Sequence, residues 1–197
     1  MKAFNNHTGI PAPLKRSNVD TDQIIPAVFL KRITRTGFDD GLFKAWRDDP
    51  TFVLNQARYT GASILVVGSD FGTGSSREHA VWALLDYGFT VVVGSRFGPI
   101  FLNNAGKAGL VLAQLSETDV KVLWQAIEAA PGEQMSVDLV TQTIDFAGMS
   151  YHFEIDSYVR ERLLAGLDDI GATLQHETTI ATFETTRPKY LPVTVVQ

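Results

Sequence analysis

Two short runs in the middle of the chain, Ala62 to Val67 and Thr90 to Gly94, are almost continuously apolar. Runs of this length, rich in branched residues, suit strands covered on both faces. Between them Ala80, Val81, Leu84 and Leu85 fall on one side of a helix predicted from about Ser76 to Asp86. Strand, helix and strand make a βαβ unit, whose crossover is right-handed. A helical turn is expected over Ile100 to Ala105, followed by a third strand at Leu110 to Ala113. Ser116-Glu117-Thr118-Asp119 opens a helix that runs to Ala129 and stops at Pro131-Gly132.

The pattern then changes to period two. Ser136 to Val140, Thr143 to Phe146 and Tyr151 to Ile155 alternate apolar and polar positions, with Ala147-Gly148 near a turn. These are antiparallel strands with one wet face. A last helix is predicted over about Ser157 to Ala165, and Gly166 to Gly171 is a loop or helix end. From Thr185 onward the tail, with two prolines, is expected to be extended or disordered. At the other end, Phe4 to Pro26 is rich in Pro, Asn, Asp and Thr and reads as extended pieces and turns. Phe29 to about Gly41 keeps no clean period and is expected to be a mobile loop, with a short helix near Leu42 to Trp46. The expected architecture is α/β, a single three-layer-like domain over residues 1–197 with a mixed sheet and a central parallel βαβ unit.

Composition narrows the function classes. At 197 residues and 45% hydrophobic content the chain can bury a real core. A net charge of −5 argues against a nucleic-acid partner. No run is long and apolar enough for a membrane span, and the N-terminal residues lack the apolar core of a signal peptide, so a cytoplasmic protein is expected. There is no cysteine, so this chain alone holds neither a disulfide nor a thiolate-bound zinc or iron–sulfur cluster.

The stretch Gly68-Ser69-Asp70-Phe71-Gly72-Thr73-Gly74-Ser75-Ser76-Arg77-Glu78-His79 links the first strand to the helix. Glycines let a loop backbone approach a ligand, and a helix start offers open N–H groups and partial positive charge. Two hydroxyls and a guanidinium stand where an anion would bind. Ser75-x-x-Glu78 also has capping-box spacing, a role that competes for the Ser75 hydroxyl; Ser76 is the alternative cap. Arg77 opposes the helix dipole, and bidentate carboxylate binding would compensate. An ordinary surface arginine is the other reading. His79, with no ligand partner one turn away, reads as a packing residue. The ending Gly74-Ser75-Ser76 lacks the lysine of a phosphate loop, and the third glycine of a dinucleotide fingerprint is replaced by Arg77. A second cluster, Asn18-Val19-Asp20-Thr21-Asp22-Gln23-Ile24-Ile25-Pro26, can orient an arginine or simply form a turn before a strand. Its two carboxylates alone make a poor metal site.

Together with Phe29-Leu30-Lys31-Arg32 and Thr173-Leu174-Gln175-His176, these clusters resemble the small-subunit family of 3-isopropylmalate dehydratases, which corresponds to the swivelling domain of aconitase. The resemblance runs in order from the N-terminus to about Glu184. It implies the three-layer β/β/α swivelling fold and a hydro-lyase of leucine biosynthesis that isomerises 2-isopropylmalate to 3-isopropylmalate through isopropylmaleate. It further implies a [4Fe–4S] cluster in a separate large subunit, no cofactor or metal in this chain, and no activity for this chain alone. A homoaconitase or citraconate hydratase small subunit is the near alternative, and a non-catalytic carboxylate-binding module the distant one.

The resemblance assigns roles as well. The proton to be removed is α to a carboxylate and very weakly acidic, and hydroxide is a poor leaving group that a metal ion can assist. Ser75 is the expected base, Ser76 and Arg77 hold substrate carboxylate oxygens, and Asp22 orients Arg77. Asp20, Thr21 and His79 are the other supporting residues. Substrate choice is attributed to the loop that begins Leu30-Lys31-Arg32-Ile33, where Leu30 or Ile33 can meet the isopropyl group and Arg32 and Arg35 complicate the picture.

Overall fold

The computed structural model describes residues 1–188 and 190–191. Its parallel and antiparallel strands sort into separate sheets rather than one mixed sheet. The parallel sheet has the order β2-β3-β4-β5, formed by Pro11–Leu14, Ile64–Val67, Val91–Gly94 and Val111–Gln114. The antiparallel sheet has the order β1-β6-β7-β8, formed by Asn6–Gly9, Met135–Asp138, Thr143–Phe146 and Met149–His152. A pair of backbone bonds joins the two sheets: Gln114 N donates to Glu154 O at 3.0 Å, and Glu154 N donates to Gln114 O at 2.8 Å.

The apolar runs become the strands they predict. All residues of β2, β3 and β4 are buried. The intervening helices are α3 (Glu78–Tyr87) and α4 (Pro99–Ala108), which pack on each other. Both crossovers step the same way along the sheet, so right-handedness places both helices on one face. Helix α5 (Glu117–Ala129) is capped by the Ser116 hydroxyl, which accepts from Asp119 N at 3.0 Å, and packs on β2, β3 and β4. The Trp124 indole of α5 donates to Val66 O of β3 at 2.9 Å.

Several boundaries move for local reasons. Residues Thr21–Ile24, within the stretch expected to be extended, form the short helix α1 because Asp20 and Gln23 build a full capping box. The short helix expected near Leu42 to Trp46 is α2, Lys44–Arg47. Helix α4 is longer than the single turn foreseen; Pro99 occupies its start, while Asn103 and Asn104 weaken its sequence signal. The β7–β8 turn takes only Ala147 and Gly148, both with positive φ, which pairs Phe146 with Met149 and starts β8 early. Helix α6 covers Ser157–Ala165, as expected. Two further helices follow: α7 (Asp169–Leu174) starts inside the stretch read as a loop or helix end, and α8 (Glu177–Thr186) ends inside the expected extended tail. Their threonines rank low as helix formers, and the hydroxyls bond back to helix carbonyls, such as Thr182 Oγ1 to Thr178 O at 2.8 Å. Thr185 and Thr186 therefore close α8, and the remainder of the expected extended tail falls largely outside the described residues.

Candidate active site

Beyond the carboxyl end of β3, residues 68–75 run beside residues 16–21. Gly68 N donates to Arg16 O at 3.0 Å, Asn18 N to Ser69 O at 2.8 Å, Gly72 N to Val19 O at 2.8 Å and Thr21 N to Thr73 O at 2.9 Å. The two clusters singled out in the sequence are thus laced side by side. The Thr21 hydroxyl, almost fully buried, donates to Ser75 O at 3.1 Å and fixes the backbone just before the helix.

The glycine loop is also clamped from its other side. Phe71 N donates to Arg96 O at 3.2 Å, and Gly98 N donates to Phe71 O at 2.9 Å. A Cβ on Gly98 would lie 2.4 Å from Gly72 O, and one on Gly72, whose φ is +75°, would lie 2.3 Å from the Phe101 ring. Only glycine permits this approach. Asp70 forks to Arg96 with two bonds of 2.5 Å, and these bonds hold the Asp70 carboxyl below its usual range. The sequence reading did not assign this pair. Nothing local says which of 17 basic residues meets Asp70.

Helix α3 begins at Glu78, and Arg77 is its N-cap residue, with extended backbone and no side-chain capping bond. Ser75 and Ser76 lie before the cap, exposed. The Ser75-x-x-Glu78 spacing is therefore not a capping box, because the helix starts too late for it. Among the described residues neither hydroxyl is engaged in a side-chain hydrogen bond, so both stand open beside a helix start with unsatisfied N–H groups.

Arg77 reaches back from this point and donates through Nη1 to Asp22 Oδ1 on α1. Its side chain is 17% exposed, against 53% for Asp22. A single-nitrogen contact leaves the rest of the guanidinium fork for another acceptor. Asp20 does not join this pair. Its Oδ1 accepts from Gln23 N at 2.8 Å, so it shapes α1 and places Asp22. His79 faces aromatic rings, with centroids 5.2 Å from Phe38 and 4.6 Å from Trp82. Burial there pushes its pKa down and favours the neutral ring.

The expected specificity residues sit on a short 3-10 turn, Ala27–Lys31, and just after it. Leu30 and Arg32 are half-buried, Lys31 is exposed and Ile33 is wholly exposed. Arg32 turns back onto its own loop, to Asp40 and the Gly37 carbonyl. A cavity of about 560 Å³ lies elsewhere, between α4, β5 and α6, and Ser75, Ser76 and Arg77 do not line it. Those three form an open surface rather than an enclosed pocket. Among the described residues no group of three His, Cys, Asp or Glu is placed to hold a metal ion, and no helix is long and apolar enough to cross a membrane. With no cysteine in the sequence, the residues present do not fit an iron–sulfur cluster.

A family model described as the aconitase C-terminal domain matches residues 1–118, and one described as LeuD_N matches residues 121–157. A third, described as the C-terminal domain of the 3-isopropylmalate dehydratase small subunit, matches residues 169–192. The 3-isopropylmalate dehydratase small subunit of Kocuria rhizophila is 60% identical over 99% of this chain and 98% of its own. That of Corynebacterium diphtheriae is also 60% identical, over 98% of this chain and 100% of its own. A solved structure of 3-isopropylmalate dehydratase from Methanocaldococcus jannaschii matches with a TM-score of 0.69 at 23% identity, covering 90% of this chain and 98% of that one, and speaks to the fold. The chain belongs to the family of 3-isopropylmalate dehydratase small subunits.

Proposed function

We propose that this chain is the small subunit of a hydro-lyase that converts 2-isopropylmalate to 3-isopropylmalate in leucine biosynthesis, working with a large subunit in the cytoplasm as one swivelling domain. The observation that carries the reading is the open Ser75–Ser76–Arg77 edge at the start of α3, with Arg77 steadied by Asp22. It is half of a site: it offers a base and an anion clamp but no group to assist a leaving hydroxide. The [4Fe–4S] cluster that would supply that assistance is assigned to the large subunit.

In dehydration, Ser75 Oγ as the alkoxide takes the proton from the carbon α to a carboxylate. The electron pair of that C–H bond forms the new C=C bond, and the hydroxyl on the neighbouring carbon leaves with its bonding pair. Rehydration returns the hydroxyl to the carbon that lost the proton and a proton to the carbon that lost the hydroxyl. An alcohol is a weak acid, so the alkoxide needs a strongly positive setting. The uncapped N-terminus of α3 and the Arg77 guanidinium provide one. Ser76 and the remaining Arg77 fork hold the substrate carboxylate. Thr21 fixes the Ser75 backbone, Asp20 builds α1, and Asp22 sets the direction of Arg77. The loop that begins at Leu30 faces the isopropyl group, with Ile33 as its exposed apolar residue.

The test is reconstitution. The purified chain is mixed with a cluster-bearing large subunit, and isopropylmaleate is followed by its absorbance. Turnover by the mixture and none by either chain alone is expected. A mixture that turns over homoaconitate or citraconate in preference to isopropylmalate would overturn the substrate assignment.

A further inference from the structure

Residues 32–40 leave the turn at Ala27–Lys31 and return at a second 3-10 turn, Asp39–Gly41. The two ends of this segment are fastened together. Arg32 Nη1 donates to Asp40 Oδ1 and Nη2 to Asp40 Oδ2, each at 2.7 Å, while Nη1 also donates to Gly37 O. The same guanidinium lies 4.8 Å from the Phe29 ring centroid and 5.8 Å from that of Phe38. A planar fork fixes both distance and orientation, and the aromatic faces add cation–π attraction.

The closed loop is in turn fixed to the helix that starts at the site. Phe38 is fully buried, and its backbone N–H donates to Asp86 Oδ2 of α3 at 2.9 Å. Its ring meets His79, in the first turn of α3, edge-on. A continuous line of contacts therefore runs from Arg32 through Phe38 to His79, two residues past Arg77. The guanidinium at the head of this line is spent inside the loop.

We propose that Arg32 is a positioning residue for substrate recognition: it latches residues 33–39 into one shape against the first turn of α3 and does not itself bind substrate. This rests on the isomerase reading above. The latch explains how a cationic residue can stand among the specificity positions of a site that must accept an isopropyl group. Its charge is met by Asp40, and Ile33 is left as the apolar side chain on the exposed rim.

The test uses Arg32→Ala, Asp40→Ala, the double alanine variant and the exchanged pair Arg32→Asp/Asp40→Arg, each assayed with the large subunit. Each single variant is expected to raise KM for isopropylmalate about fivefold, the scale of an exposed but bidentate pair, with kcat nearly unchanged. The double variant should match the singles, and the exchanged pair should recover part of the loss. A raised KM in Arg32→Ala together with a wild-type KM in Asp40→Ala would overturn the proposal, since Arg32 would then touch substrate directly. A second readout needs no turnover: trypsin should cut after Arg35 faster in full-length Asp40→Ala than in the wild-type chain. Equal cleavage rates would show that there is no latch. An inactive wild-type mixture with faster cleavage in the variant would overturn the isomerase reading and the substrate role while leaving the latch in place.

Discussion

In β3 of the parallel sheet every residue is buried, whereas in β7 of the antiparallel sheet burial alternates and Asp145 faces water. The difference decides where chemistry can be placed. A strand covered on both faces has no side chain to spare for a ligand, so functional groups move to the loops beyond the carboxyl ends. The connection after β3 carries Ser75, Ser76 and Arg77, and the one after β4 carries Arg96, which clamps Asp70. The antiparallel strands β7 and β8 are joined by a turn of Ala147 and Gly148, too short to shape a site. One sheet presents the residues proposed to react, and the other backs the core.

Substitutions in the two regions should therefore fail in different ways. The largest effect is expected from Ser75→Ala. With the large subunit present, kcat should fall by about a thousandfold, the middle of the range for losing a general base. The melting temperature should hold, because the Ser75 hydroxyl lies outside the helix cap. Near-normal turnover would remove Ser75 from the role of base.

Ile144→Ala in β7 should behave in the opposite manner. Its side chain is fully buried, and truncation should cost about 3 kcal/mol in chemical denaturation. The kcat of the folded, assembled fraction should stay at the wild-type level. A variant that lost kcat without losing stability would break the division between the sheets. Arg77→Lys should fall between these in kind, replacing a fork by a point charge and raising KM about tenfold with little change in stability. Steady-state kinetics beside a thermal melt would separate the two effects.

The smallest expected effect compares two histidines. His7 on β1 pairs with the Ser63 hydroxyl at 2.7 Å, His79 packs on aromatic rings, and burial lowers the pKa of both. Each folded-state value lies below the unfolded one, so the unfolded chain binds more protons and stability rises with pH. The contribution is fully present above about pH 6.5 and is lost as pH falls through the lowered values. Melting temperatures should drop modestly between about pH 7 and about pH 5, while most carboxylates are still ionised. His7→Gln and His79→Gln should each flatten that slope, and a slope unchanged in both would show that neither histidine is its source.

The parallel core was legible because Ile64 to Val67 and Val91 to Val93 announce burial at every position. The chemistry of residues 75–77 was legible as residue types, but their geometry was not. Whether Ser75 caps depends on where the helix starts, and that start is set by bonds to residues far away in sequence, such as Thr21 to Ser75 O. Arg32 illustrates the same limit. A cation in a loop looks available for a ligand until Asp40 is found beside it. Helix α8 was hidden because threonine-rich segments with exposed faces lack both high propensity and an apolar stripe.

Trp82 stands half-buried between these parts, its ring 4.6 Å from His79 and 5.8 Å from Phe38. Trp124 is tied instead to the β3 backbone, across the sheet core. Two of the three tryptophans thus have different reporting duties. Emission from Trp82 is positioned to follow rearrangement of the loop and protonation of its imidazole neighbour, and emission from Trp124 to follow unfolding of the sheet. With Trp46→Phe to quieten the third indole, loop movement and sheet unfolding can be watched in real time without attaching a dye.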